Sequence, residues 1–318
     1  MELLMIHNHL GIAGVFTISK GKSLDTLEVV ADWQSNLITD GGMDALGDSG
    51  SGYPRSMYDL IAYLAVGSGS ATPAFTDTAL GAQVAQVGRT TSDNGGTTTA
   101  PYYAYSRCQY QFPAGTATGV LSELGAKAYN NNTGAYILST RALIKDSAGN
   151  PTTITVLSDE ILVVTYELRM YVDTTPVVTT ETIKGVSTTV TCKPIAMGRS
   201  GGLNGQSAVV WSDYVWGCYY FTGGTGDGTG AITDQYPPGN NVSYSDLYIQ
   251  RVEYIPGTYY RDCVCRMSIN NVPGSPITAA MGLSSCVAFQ VGFSPGITKT
   301  GSETSNLRMR VSWSRYTP

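Results

Sequence analysis

Residues 136–171 read YILSTRALIKDSAGNPTTITVLSDEILVVTYELRMY, and their periodicity decides the fold class. On either side of a turn marked by Asp146, Gly149, Asn150 and Pro151, residues alternate with period two, the spacing of a half-buried strand and not of a helix. The pattern predicts a hairpin. In its second arm Leu162, Val164, Tyr166, Leu168 and Met170 fall on one face, while Thr165, Glu167 and Arg169 fall on the other. The first face is expected to enter the core, and the second to meet water or a neighbouring subunit. An isolated strand pair buries too little apolar surface to offset the entropy of ordering it, so the rest of the chain must supply partners.

The composition agrees with a β protein. The chain has 318 residues, 37 glycines, 21 tyrosines and only 14% charged residues, which describes short strands and tight turns better than helices. The expected class is all-β, mainly antiparallel β-sandwiches, with one or two short helices in the N-terminal half. A chain of this length is long enough for two domains. The formal charge of −5 and the lack of a Lys/Arg cluster offer no field for a phosphate backbone, so nucleic acid is not an expected partner. No run of eighteen apolar residues predicts a membrane span, and the N-terminal stretch, interrupted by His7, Asn8 and His9, does not read as a signal peptide. The six cysteines are too few and scattered for a disulfide framework. Cys263 and Cys265 share a strand face about 6.7 Å apart, at the edge of what a disulfide spans. Buried free thiols are expected.

Along the chain, residues 10–20 and 27–33 alternate around a turn at 20–23 and predict an opening hairpin. Residues 36–46 read as a short helix, although Gly41 and Gly42 each cost it roughly 1 kcal/mol relative to Ala. Residues 60–66 read as a strand, and 77–84 as a second short helix that Thr76 or Asp77 could cap. A polar loop is expected at 90–100. The strand after it carries Cys108, Tyr110 and Phe112 inward and Arg107, Gln109 and Gln111 outward. After Tyr171 the sequence turns rich in Thr and Val, which places a domain boundary near Asp173 and gives domains 1–172 and 173–318. Residues 287–293 and 307–313 again alternate and predict a second hairpin. The strand YYRDCVCRMSI before it echoes YYAYSRCQYQF before the first, as two related sandwiches would.

Three stretches carry a resemblance: NLITDGGMDALG at 36–47, LAVGSGSATPAFTDTALGAQV at 64–84, and LSELGA at 121–126 followed by the hairpin sequence at 142–171. In this order they resemble a family of structural proteins of tailed bacteriophages, found in tail fibres, baseplates and related appendages. The resemblance covers residues 10–171. It implies a non-enzymatic virion component of adaptor or fibre type, with a virion-attachment first domain, assembled as a trimer or larger ring with other virion proteins. It transfers no catalytic residue and no cofactor. The second half matches nothing nameable, which leaves open a receptor-binding reading in which it engages a host surface glycan. Tyrosine-rich patches such as Tyr102, Tyr103 and Tyr105, or Trp211, Tyr214, Trp216, Tyr219 and Tyr220, supply rigid amphipathic contact area of the kind enriched at interfaces. The second patch is the candidate binding site, for a glycan or a protein.

Several chemical patterns are weighed against plainer readings. His7 and His9 point the same way in a strand and could meet a metal on a symmetry axis, but no cysteine or carboxylate lies nearby in sequence, so no metal site is expected within one chain. GDSGSG at 47–52 and GRSGG at 198–202 resemble hydrolase nucleophile loops. The only two histidines lie in the first nine residues, and the second motif lacks a following helix. GKS at 21–23 has Phe16 where a phosphate loop needs glycine, and GGTGDGTG at 223–230 lacks the helix of a dinucleotide site. Asp159 and Glu160 face opposite sides of a strand and cannot flank one sugar bond. A distant pair such as Glu123 and Asp146 leaves a polysaccharide depolymerase as the weaker alternative, and the expectation is that the chain is not an enzyme.

Overall fold

The computed structural model describes residues 2–47, 57–195, 218–242, 247–251, 254–267, 274–283 and 288–317. The fold is mostly β, with two short α-helices, Asp40–Gly47 and Met57–Leu60, both in the N-terminal half. A long central strand, Glu2–Gly21, organises an eight-stranded sheet. Across this sheet the order is Leu247–Arg251, Tyr260–Met267, Ser305–Arg315, the central strand, Ile161–Val172, Tyr103–Phe112 and Thr91–Gly96, with Glu28–Ser35 also paired to the central strand. The central strand pairs in parallel with Ser305–Arg315, and every other ladder among the described strands is antiparallel. Alternation places Leu10, Ile12, Phe16 and Ile18 inward against Leu162, Val164, Tyr166, Leu168 and Met170, all nearly free of solvent. The face read from the sequence is the core face.

Among the described residues two six-stranded sheets and one two-stranded sheet, Gly119–Leu121 with Ile154–Val156, complete the fold. The first runs Leu37–Ile38, Thr140–Leu143, Glu123–Asn130, Tyr63–Gly67, Gln83–Gly88, with Ala135–Leu138 paired to Glu123–Asn130. The second runs Val177–Ile183, Val186–Ile195, Ala288–Thr298, Pro276–Leu283, Cys218–Thr222, Asn240–Val242. Tyr110 of the large sheet donates to the carbonyl of Ile61 beside the first, and Cys192 of the second donates from Sγ to Asn8 Oδ1 at 2.9 Å. One apolar core joins all four sheets.

The opening hairpin is present, with Lys20 opposite Glu28 and Val15 opposite Ser35. The other two expected hairpins are not. Thr140–Leu143 joins a six-stranded sheet while Ile161–Val172 enters the eight-stranded one, and only an isolated bridge, Lys145 to Pro151, marks the turn between them. Ala288–Thr298 and Ser305–Arg315 likewise go to different sheets. Alternation fixes which face of a strand is buried and is silent about its partner. Both pairs are crossings between layers.

The helix expected at 77–84 is absent. Asp77 accepts from the amide of Ala74, and the Ala82 amide is held by Glu123, so side chains take backbone groups that a helix would need. Residues Thr91–Gly96 of the expected polar loop form an edge strand. Asp173 does lie between two strands, and the second six-stranded sheet is built from later residues alone. Yet three later strands share the eight-stranded sheet with the first half, and helix Asp40–Gly47 is bracketed by later residues. Trp313 Nε1 donates to the Met43 carbonyl at 2.9 Å, Tyr254 to Asp44 at 2.7 Å, and Arg315 to Asp40. The division at 173 is thus crossed by a sheet and by the core. The side chains of Cys263 and Cys265 lie outside the described residues, while Cys108 and Cys192 are free and buried.

Candidate functional site

The outward face of the eight-stranded sheet carries a contiguous set of aromatic and charged side chains. Because Ala104, Ser106 and Cys108 face the core, strand Tyr103–Phe112 turns Tyr103, Tyr105 and Arg107 outward. The neighbouring strand sets Tyr171 opposite Tyr103, Arg169 opposite Tyr105 and Glu167 opposite Arg107. On the same rows the central strand offers only Gly11, Ala13 and Val15. Large neighbours can therefore lie over it, and a Cβ at Gly11 would come within 2.9 Å of Tyr316. Tyr316 stacks on Tyr171 with centroids 4.2 Å apart, and Tyr171 meets Tyr103 at 4.9 Å.

Electrostatics lock this face. Glu167 is 1% exposed and accepts from Arg107 Nε and Arg169 Nε, each at 2.6 Å. The Arg169 guanidinium lies 4.8 Å from the Tyr103 centroid, and that of Arg107 5.1 Å from Tyr105. Burial raises the phenol pKa of Tyr103 and of Tyr105, whose hydroxyl also faces Asp93. Burial works against the Arg107 charge, but Glu167 outweighs it and holds the guanidinium above its usual range. Such a surface offers rigid rings with few rotamers to freeze and charges already ordered before a partner arrives. It presents no nucleophile.

Of the aromatic run, Trp211, Tyr214 and Trp216 lie outside the described residues. Tyr220 is 2% exposed in the main core, while Tyr219 is half-buried 6.1 Å from Tyr236 on the opposite side of the strand. These two rings do not share a contact face. His7 and His9 are both exposed on the central strand, and His9 has its ring nitrogens 2.9 Å from the hydroxyls of Ser312 and Ser314. Both line a pocket of about 110 Å³ with Asp173, Cys192 and Lys193. Among the described residues no three His, Cys, Asp or Glu side chains are grouped to hold a metal.

The weighed carboxylates are engaged elsewhere. Glu123 is fully buried against Arg141, Asp146 closes its own turn by accepting the amides of Ala148 and Asn150, and Asp159 and Glu160 pair with Lys22 and Lys20. The Gly223–Gly230 loop packs down on the second six-stranded sheet, where buried Gln290 bonds both the amide and the carbonyl of Gly230. Of GDSGSG only Gly47 is described, and GRSGG lies outside the described residues. Sequence reading found Tyr103 and Tyr105 but missed Tyr171 and Tyr316. The signal for Tyr171 was the outward set of YELRMY, in which Glu, Arg and Tyr alternate with the core residues, whereas Tyr316 reaches Tyr171 only through the strand order. No family model, curated protein or solved structure matches the chain.

Proposed function

We propose that this chain is a structural component of a tailed-phage virion, of adaptor or appendage type, that works by docking and not by chemistry. The sequence resemblance supports the virion setting. The observation that carries the docking reading is the exposed Tyr316 seated on the buried Tyr171 beside the half-buried Tyr103, with Arg107 and Arg169 fixed on the buried Glu167. Tyrosine and arginine dominate the energetic centres of protein interfaces, and here both are held in place in the free chain. The partner is a neighbouring virion protein or a second copy within a trimer or larger ring. Purified full-length chain, wild type and Tyr103→Ala/Tyr316→Ala, would be added to particles assembled without it and the bound fraction measured. Incorporation of wild type, with loss of about tenfold or more in affinity for the variant, is the expected result. Equal incorporation of the two removes this face from the docking role, and absence of the wild-type chain from particles removes the virion reading. A monomer by light scattering at micromolar concentration would exclude the ring.

A further inference from the structure

A second cluster lies on the first six-stranded sheet, whereas the docking face belongs to the eight-stranded one. In strand Glu123–Asn130, Leu124, Ala126 and Ala128 enter the core, so Glu123, Gly125, Lys127 and Tyr129 occupy the opposite face. Tyr63 stands opposite Lys127 on one neighbouring strand, and Tyr136 opposite Tyr129 on the other. The three rings form a contiguous set, with Tyr136 edge-on to Tyr63 at 5.0 Å and 5.1 Å from Tyr129. Glycines flank it: the nearest neighbour a Cβ at Gly88 would meet is Tyr63, and at Gly134 the Tyr129 hydroxyl.

Lys127 is the unusual member. It is only 8% exposed, yet its ammonium meets two neutral amide oxygens, Gln83 Oε1 at 2.5 Å and Gln86 Oε1 at 3.0 Å. Its Nζ lies 5.8 Å from the Tyr136 centroid. Burial pushes its pKa below the usual lysine value, and no charged neighbour contributes to offset that. A buried cation on the neighbouring strand Thr140–Leu143 is satisfied differently, since Arg141 pairs with both Glu123 and Asp77. The two amide oxygens and the Tyr136 ring solvate the Lys127 charge without neutralising it, so an arriving anion would gain by pairing with it.

We infer that Tyr63, Tyr129 and Tyr136 with Lys127, Gln83 and Gln86 form a binding subsite for an acidic saccharide, a uronate-type sugar. The 45% exposed Tyr136 offers its ring to the C–H face of a pyranose, Lys127 meets the sugar carboxylate, and the two glutamine amides exchange their hold on Lys127 for hydroxyl groups. An amphipathic ring platform beside hydrogen-bonding amides suits a polyhydroxylated ring, and an acidic peptide control reports whether the free edge of Gln83–Gly88 takes a strand instead.

The test is calorimetric titration of the full-length chain with a tetrasaccharide alternating glucuronate and N-acetylglucosamine, with neutral chitotetraose and tetraglutamate as controls. The acidic tetrasaccharide should bind, the two controls at least about tenfold more weakly, and Lys127→Met and Tyr136→Ala should each weaken it by about tenfold or more. No binding at millimolar sugar, tetraglutamate binding as tightly, or unchanged affinity in Tyr136→Ala would each overturn the proposal. Tyr136 is exposed, so that variant decides the matter even where Lys127→Met fails to fold. It should leave particle incorporation unchanged, which separates this site from the docking face.

Discussion

Arg141 donates through Nε and Nη2 to one oxygen of Glu123, at 2.9 and 2.8 Å, while the other oxygen of Glu123 takes the amides of Gly69 and Ala82. Arg141 also reaches Asp77 at 2.6 Å and the Ala71 carbonyl. One buried ion pair thus nails the irregular segment 68–82 onto its sheet. Removing Arg141 strands the Glu123 charge in the core, and removing Glu123 leaves the buried Arg141 with Asp77 as its one remaining ion-pair partner among the described residues. Glu123→Gln and Arg141→Met should each cost ~3–5 kcal/mol, read as a lowered denaturant midpoint, and the double variant should cost clearly less than the sum of the two.

The same site makes stability acid-sensitive. Burial pushes the Glu123 carboxyl up, but the amides of Ala82 and Gly81 together with Arg141 outweigh it, and the net pKa lies below the ordinary 4.5. Asp77 lies below its ordinary 3.8, held chiefly by the Ala74 amide, with Arg141 adding to it. Groups depressed on folding contribute fully above their unfolded values and lose that contribution as pH falls through the folded ones. Denaturation midpoints should therefore hold steady from neutral pH down to the ordinary carboxylate values and then fall, with a shallower fall in Glu123→Gln.

Gly42 in the first helix runs against simple propensity. Ala would ordinarily favour a helix by ~1 kcal/mol, but a Cβ here would drive into the Ser139 carbonyl, whose carbon would lie 2.9 Å away. Gly42→Ala should destabilise by ~1–3 kcal/mol, seen as a drop in melting temperature.

Burial raises the thiol pKa of Cys108 to about 11 and that of Cys192 to about 12. Thiolate is the reactive form, so both should escape alkylation in the folded chain at pH near 8. Peptide mapping after iodoacetamide treatment would show label on either only after unfolding.

Cutting the chain at residue 173 should not release two folded halves. The first half loses Trp313 over Met43 and the partners of Asp40 and Asp44, and the second loses the strand that Ser305–Arg315 pairs with. Each half expressed alone should lack a cooperative melting transition, whereas co-expression should recover one.

Strand faces were legible in the sequence because period-two alternation records burial directly: Leu162 to Met170 and Cys108 to Phe112 lie where their pattern puts them. Strand partners were not, since Ile161–Val172 would satisfy its apolar face equally well beside Thr140–Leu143 or beside the central strand. The helix read over 36–46 forms from Asp40 on, because Leu37–Ile38 pairs as a strand with Thr140–Leu143, whereas the one read at 77–84 fails where Glu123, remote in sequence, captures the Ala82 amide. The docking face was half visible for the same reason. Tyr103 and Tyr105 are neighbours in the chain, but Tyr171 and Tyr316 join them only through strand order.

The parallel pairing of the central strand with Ser305–Arg315 sets a timetable. Glu2 faces Asn306 and Ile12 faces Arg315, so the ladder closes a loop spanning most of the chain, and such contacts form late because their closure entropy comes first. While the ribosome is still working toward residue 305, the opening stretch waits with a bare edge, the kind of surface that seeds aggregation. Completion of the central sheet therefore waits until residues 305–315 have been made, and a translation product interrupted before them is left with a sticky edge in place of a shortened working molecule.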